Sequence, residues 1–436
     1  MSSQAVAVER VPAAEQRTRR GRPVAGAWLL SGAMVISGVL AYVFHVLAAR
    51  ALGPHDYGQI AVLWAAMFLV AIVLFRPLEQ TTSRALAERL ARGEEVTTVL
   101  RAVAVLCVLV VAVCVVGAVA GWSAVAERLF LGSDMLTALL LAGIAAYGVA
   151  YLVRGLLGGL RWFNGYGLGL IADAVGRLLV AAPLFLVAST GLAAAAMVIA
   201  GLAGALVPLL LGRRMLRMIG TARPGARFRL VSALGFAAPA SIVAAADQLL
   251  VNGGPLLVMI EGHTDASKAA GVVFAATMLI RAPVYVFQGL AAALLPNLTH
   301  IQAVAEIARF RQMVVRTVGF LLAAGAVIVA FAAIAGPQAM TFLYGSGFEA
   351  GRFELALLAA GVGCYLGAAT ISQALLALDE GVRAALAWTL ASVLFVTLFF
   401  VLPGSELERV SLAFAIASLA DFVLLGLGLV RLIKSR

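Results

Sequence analysis

The feature that most constrains this chain is a run of apolar stretches, each about twenty residues long and separated by short polar connections. Twelve can be delimited: 25–48, 58–76, 98–120, 136–157, 168–188, 192–211, 233–259, 270–294, 314–335, 353–377, 383–402 and 409–431. About twenty apolar residues span a bilayer as an α-helix. Of 436 residues, 63% are hydrophobic and 12% charged; soluble domains carry about 25% charge. The expected fold is an all-α polytopic membrane protein of about twelve transmembrane helices.

Net charge is +11, carried by 30 Arg and only two Lys. These residues lie in short segments between apolar runs, so the excess reports membrane topology and not nucleic-acid binding. With the N-terminus placed inside, 25 basic residues fall on inside connections and five (Arg50, Arg128, Lys268, Arg352, Arg409) on outside ones. Positive residues favour the cytoplasmic side. The expectation is a multi-pass protein of a bacterial plasma membrane with both termini cytoplasmic. The Arg-rich N-terminus precedes a full-length span, so no cleavable signal peptide is expected.

The spans divide into halves. A cytoplasmic tail (1–24) precedes an N-terminal six-helix bundle (25–211). A basic linker (212–232) containing GRRMLRMIGTARPGARFR leads to a C-terminal six-helix bundle (233–431) and a short tail (432–436). The linker's arginines suit anionic lipid headgroups, worth about 1 kcal/mol each. The halves are distant repeats. HDYGQIAVLWAAM (55–67) opens span two and SKAAGVVFAATML (267–279) opens span eight, with Gly58 and Gly271 matching at a shift of 213. After each comes an amphipathic segment, 78–94 and 297–310, suited to lie flat on the cytoplasmic surface. Two six-helix halves about a central cleft are a recurring transporter plan.

Little supports catalysis. The outside connections are short, and His45, His55, His263 and His300 are scattered without metal spacing. Cys107, Cys114 and Cys364 sit in apolar runs and read as packing residues. No cofactor and no metal site is expected. The argument rests on polar residues within spans, which usually face a bundle interior or watery cavity. These are Asp173 and Arg177 in span five, Asp247, Gln248 and Asn252 in span seven, Arg281 in span eight and Asp421 in span twelve. Arg76 lies where span two meets the cytoplasm. Asp173 and Arg177, four apart, share a helix face and can pair. Asp247 either pairs with an arginine of another helix or takes a proton or cation. Asp421, mid-span in an otherwise apolar helix, either has a structural role or takes part in ion or proton coupling. Arg76 can snorkel to the interface. Arg281 lies about 15 Å from its span's outer end at ~1.5 Å per residue. It either pairs with an acid such as Asp247 or lines a cavity and meets an anion, beside a helix weakened by Pro283.

The stretch ARALGPHDYGQIAVLWA (49–65) resembles the R-x-L-G-P-x-x-Y-G signature of polysaccharide-export flippases in the multidrug/oligosaccharidyl-lipid/polysaccharide (MOP) superfamily. The matching residues are Arg50, Leu52, Gly53, Pro54, Tyr57 and Gly58. RGLLGGLRWFNGYGLGLIADAVGRLL (154–179), FLYGSGFEAG (342–351) and ALLALDEGVRAALAW (374–388) are similar to later connections of that family. The resemblance implies two six-helix bundles forming a V-shaped central cleft. The implied activity is alternating access that moves an isoprenoid-pyrophosphate-linked oligosaccharide, or related glycolipid, to the outer leaflet for cell-surface polysaccharide synthesis. Its implied partners are membrane lipids, a polysaccharide polymerase and glycosyltransferases. On this reading Arg281, Arg177 and Arg76 meet the anionic headgroup, because guanidinium stays charged and binds phosphate oxygens in pairs. Asp247, Asp173 and Asp421 are candidates for ion or proton coupling or for pairing, and Gln248 and Asn252 are polar cavity candidates. The alternatives are a cation-coupled drug antiporter of the same superfamily, which would use the carboxylates, and a peptidoglycan lipid-precursor flippase, which usually has two further spans.

Overall fold

The structure, a computed structural model, describes residues 13–212, 230–281, 298 and 307–435, with side chains from 29 and 241 onward in the first two stretches. The N-terminal tail up to residue 12, most of the linker, Pro283 and most of the 297–310 segment lie outside the described residues.

The described chain is helical: α1 (Ala13–Arg92), α2 (Thr97–Ala120), α3 (Trp122–Phe130), α4 (Asp134–Gly159), α5 (Phe163–Ala181), α6 (Thr190–Leu211), α7 (Leu230–Glu261), α8 (266–281), α9 (Ile307–Tyr344), α10 (Arg352–Ala377), α11 (Gly381–Val401) and α12 (Glu406–Ser435). Ten helices among the described residues are long and apolar enough to cross a membrane. The first of them supplies two crossings. At Gly53 the backbone leaves helical geometry (φ 72°, ψ 172°), a conformation glycine adopts freely, and the following Pro54 disfavours continuation of the helix. In a straight helix residues 45 and 64 would stand about 28 Å apart, yet the His45 and Trp64 rings are 4.4 Å apart. The chain therefore doubles back, and α1 is a hairpin of two antiparallel limbs. The eighth expected span begins as α8 and passes out of the described residues after Arg281.

α1 packs against α4 and α5, and α6 lies across α4 and α5; in the second half α10 sits between α9 and α12, and α11 packs on α7 and α12. The two sets meet mainly where α1 lies along α7. The 78–94 segment departs from the expected surface helix. It continues the second limb of α1 without a break to Arg92, burying Leu78, Thr82 and Leu86. The reason is in α4. A Cβ at Gly155 would strike the Glu79 backbone, and one at Gly159 would strike Leu86. Bare glycines let the limb dock on helix α4 instead of on lipid.

The end carrying residues 50–58 is called the motif end, and the end carrying Arg92 the far end. Ser133 and Ser189 cap α4 and α6 by accepting from the backbone N–H groups of Leu136 and Leu192, satisfying donors that a helix start leaves open.

Candidate functional site: a divided arginine cluster under an aromatic roof

In the first half the polar residues gather on the faces of α4, α5 and the second limb of α1. Asp173 is buried and accepts from two arginines: Arg177 through Oδ1 (2.5 Å) and Arg154 through Oδ2 (3.1 Å). Tyr147 donates to the same carboxylate (3.3 Å) and accepts from Arg177 (2.9 Å). The expected Asp173–Arg177 pair is therefore present, widened to a triad. Arg154 was assigned to an inside connection from sequence. Its long side chain instead turns inward from the last turns of α4 and is buried. Near the far end, Tyr166 donates to Glu79 (2.5 Å). Arg76 is accessible and has Glu79 and, across the divide, Asp247 as electrostatic neighbours.

The second half contributes Asp247, Gln248, Asn252 and Arg281. Asp247 accepts from Tyr365 (2.5 Å) and from its neighbour Gln248 (2.9 Å), and Gln248 accepts from Asn252 (2.8 Å). Arg281 is buried and donates to the Val251 carbonyl (2.7 Å) and Asn252 Oδ1 (3.2 Å). It makes no ion pair with Asp247. Among the described residues, both of its hydrogen-bond acceptors are neutral, and its Nε is buried without a partner. Asp421 is apart from this group. It is fully buried on α12, and no described group lies within hydrogen-bond reach of either carboxylate oxygen.

A roof of aromatic side chains joins the two halves. Arg177 lies over Trp64 (4.7 Å to the ring centre) and Phe44 (5.8 Å), a favourable guanidinium–ring placement. His45 is buried, meets Trp64 and Phe274 (4.9 Å) edge to face, and bonds Tyr57 (3.2 Å) through Nδ1. Its electrostatic neighbours are Arg177 from one half and Arg281 from the other. His45, Arg154, Tyr147 and Tyr365 did not emerge from sequence as site residues. Their signal is spatial: each occupies an apolar run whose neighbours only the fold reveals.

Taken together, Arg76, Arg154, Arg177 and Arg281 face Glu79, Asp173 and Asp247, which leaves one net positive charge with all ionised. The cluster is thus less basic than its arginines alone suggest. Beside it lies an apolar groove of about 720 Å³, lined by Leu69 and Val73 of α1, Ile242 and Leu249 of α7, and Val393 and Val396 of α11. Ile242 and Val393 are exposed, so the groove opens sideways.

Residues 24–302 match the family model described as polysaccharide biosynthesis protein. The chain belongs to that family. Relatives of this chain include an uncharacterized Mycobacterium tuberculosis protein, Rv3630, 28% identical over 341 residues, covering 75% of this chain and 74% of the relative. A second uncharacterized protein of that organism, Rv1510, is 29% identical over 266 residues, 59% of this chain and 58% of its own. Among solved structures the family member resembles a multidrug resistance MATE transporter of the MOP superfamily in its inward-facing conformation. The TM-score is 0.74 at 16% identity, over 94% of this chain and 98% of that one. An outward-facing MATE structure gives 0.64 at 14% identity, over 95% and 96%. At this identity the likeness establishes the fold: a MOP-type, all-helical, multi-pass membrane architecture.

Proposed function

We propose that this protein moves an anionic isoprenoid-linked oligosaccharide, or a related glycolipid, across the membrane by alternating access. One observation carries the reading. An arginine site divided between the halves stands beside an apolar groove that opens sideways, which matches a lipid with a phosphorylated head and a hydrocarbon tail. Guanidinium groups bind phosphate oxygens in pairs. Arg281 offers such a group with no acidic hydrogen-bond partner among the described residues. In the first half Asp173 occupies Arg154 and Arg177 as a phosphate would, so an entering headgroup competes with it for them. Arg76, accessible and nearer the far end than Arg177 and Arg281, meets the headgroup from that side. Tail contacts fall to Leu69, Val73, Leu249 and Val396.

Coupling to an ion or proton falls to Asp421 and Asp247. Asp421 also supports the second reading, a cation-coupled antiporter, because a buried carboxylate with no hydrogen-bond partner among the described residues is a place for a proton or cation. The arginines weigh against a cationic cargo. In orientation, the arginine distribution places the motif end outside and the termini in the cytoplasm.

The test replaces Arg281 by Lys, Gln and Ala. Folded protein in the membrane and lipid-linked oligosaccharide in the outer leaflet are measured together. The expectation is that Gln and Ala fold but stop translocation, while Lys retains part of it. Normal translocation in all three removes Arg281 from the headgroup site.

A further inference from the structure

We infer that the R-x-L-G-P-x-x-Y-G motif is a gate: the first half's side of a seam that closes the motif end of the cavity and must part for alternating access. The inference rests on the transporter reading but not on the identity of the cargo.

Every motif residue with a described cross-half contact points into this seam. Arg50 donates through Nε to the Leu343 carbonyl (2.7 Å) and through a terminal nitrogen to that of Phe342. Both carbonyls belong to the last turn of α9, where a helix leaves acceptors open and its dipole favours a cation. Pro54 packs against Gly347, and a Cβ there would lie 3.0 Å from the proline ring. Tyr57 stands 5.6 Å from Phe348 and 6.2 Å from Phe274, ring centre to ring centre. Ser267 donates to the His55 carbonyl (2.6 Å). A Cβ on Gly58 would overlap the Ser267 carbonyl, and one on Gly271 would overlap the Pro54 carbonyl.

The last two contacts are images of each other. The shift of 213 that maps Gly58 onto Gly271 also maps Pro54 onto Ser267. One residue touches another, and the repeat mates touch in return, as across a two-fold axis. The seam therefore lies on the pseudo-two-fold axis of the halves, and at Gly58 and Gly271 backbone approaches backbone.

One open space borders the seam directly. On its outer flank a cavity of about 660 Å³ is lined by His55, Arg128, His263 and Ser267. On its inner flank, Trp64 and Arg76 lie about 9 and 27 Å further along the limb that starts at Gly58. The seam parts by losing the contacts of Arg50, Pro54, Tyr57 and Ser267, and it recloses closely only if both glycines stay bare.

The test uses a background without Cys107, Cys114 and Cys364. A reporter, Phe68→Cys, lies inside the seam, where Phe68 contacts Trp64 and Tyr147. A membrane-impermeant maleimide is applied to right-side-out and to inverted vesicles. Gly58→Ala and Gly271→Ala are each expected to raise labelling from the motif end several-fold. Where either variant fails to fold, His55→Cys paired with Ser267→Cys replaces it. A short cross-linker across that pair is expected to suppress motif-end labelling and transport, leave far-end labelling intact, and act reversibly when the linker is reducible. Unchanged motif-end labelling in the alanine variants, or normal transport after cross-linking, overturns the gate. Loss of headgroup transport on Arg281→Gln with an intact labelling pattern would bear on the cargo alone.

Discussion

Gly58 and Gly271 touch across the two halves: a Cβ built on Gly271 would stand 3.2 Å from the Gly58 Cα. Because the two contacts they make are images in one small interface, alanine substitutions there share the same space. Each single variant should lower the thermal unfolding temperature, and the double should fall short of the sum. Neighbouring residues show coupling of about 0.5–3 kcal/mol. A double-mutant cycle on the purified protein measures it. Additive effects would mean that the two contacts form independently and that the two-fold description is wrong.

Asp173 holds Arg154 and Arg177 at once. Removing the carboxylate takes away the counter-ion that the two buried guanidinium groups share, leaving Glu79 as an electrostatic neighbour of Arg154. Asp173→Ala should destabilise by roughly 3–5 kcal/mol, the usual cost of breaking a buried pair. Arg177→Gln combined with Asp173→Asn should recover part of it. Thermal unfolding in detergent decides this. A further expectation separates substrate competition from simple pairing: an added lipid pyrophosphate should stabilise Asp173→Asn more than the unaltered protein. Equal stabilisation would mean that Asp173 does not occupy the phosphate position.

The spans were legible because each buries or presents apolar surface over its whole length, so a twenty-residue run reports a helix whatever its neighbours are. The repeat was legible at Gly58 and Gly271, and the fold makes physical sense of the match: only glycine fits where the halves meet. The cluster around Asp173 was half legible. Spacing of four pairs it with Arg177, but Arg154 sits near the end of an apolar run followed by a glycine-rich connection. Only the docking of α4 on the long limb of α1 turns that side chain inward. The choice between Asp247 and neutral partners for Arg281 was not legible, because it depends on how α7 and α8 are rotated against each other. His45 was hidden for the same reason. One histidine in an apolar run says nothing of the aromatic rings that two other elements bring to it.

Arg409 and Glu261 tie α12 to α7 by a two-pronged pair, at 2.6 and 2.5 Å, with the guanidinium lying 4.7 Å over the Phe399 ring. Sequence counted Arg409 simply as an outside charge. The fork geometry, not the charge, makes this contact. Arg409→Lys should therefore lower stability by about 1.5–3 kcal/mol, although charge is kept. Equal unfolding temperatures for the lysine variant and the parent would reduce the pair to a surface ion contact.

Asp421 forms no described hydrogen bond. Asparagine has its shape and no charge, so the Asp421→Asn protein should fold at least as well as the parent. A buried carboxylate with no hydrogen-bond partner among the described residues is placed for use in transport. Transport by the variant should lose its dependence on the proton or sodium gradient, measured in proteoliposomes with imposed gradients. A variant that responds to the gradient like the parent removes Asp421 from coupling and leaves Asp247.

The apolar groove gives the sharpest division between head and tail. Val73 lines it from α1 and Leu249 from α7, and neither touches the arginine cluster in any described hydrogen bond. Trp in place of Val73 or Leu249 adds bulk where a hydrocarbon tail would lie. Space in the groove is open to the membrane, so the larger ring should not overpack a closed core, and folded protein should persist at parental levels. Flipping of a long isoprenoid carrier should fall steeply. A short-chain analogue with the same pyrophosphate should still stabilise the protein against heat, because its headgroup site is intact. Should the tryptophan variants flip the long carrier at the parental rate, the tail does not travel in this groove. Should they fail to bind the short analogue as well, the substitution has disturbed the arginine cavity, and the groove and the headgroup site are one compartment.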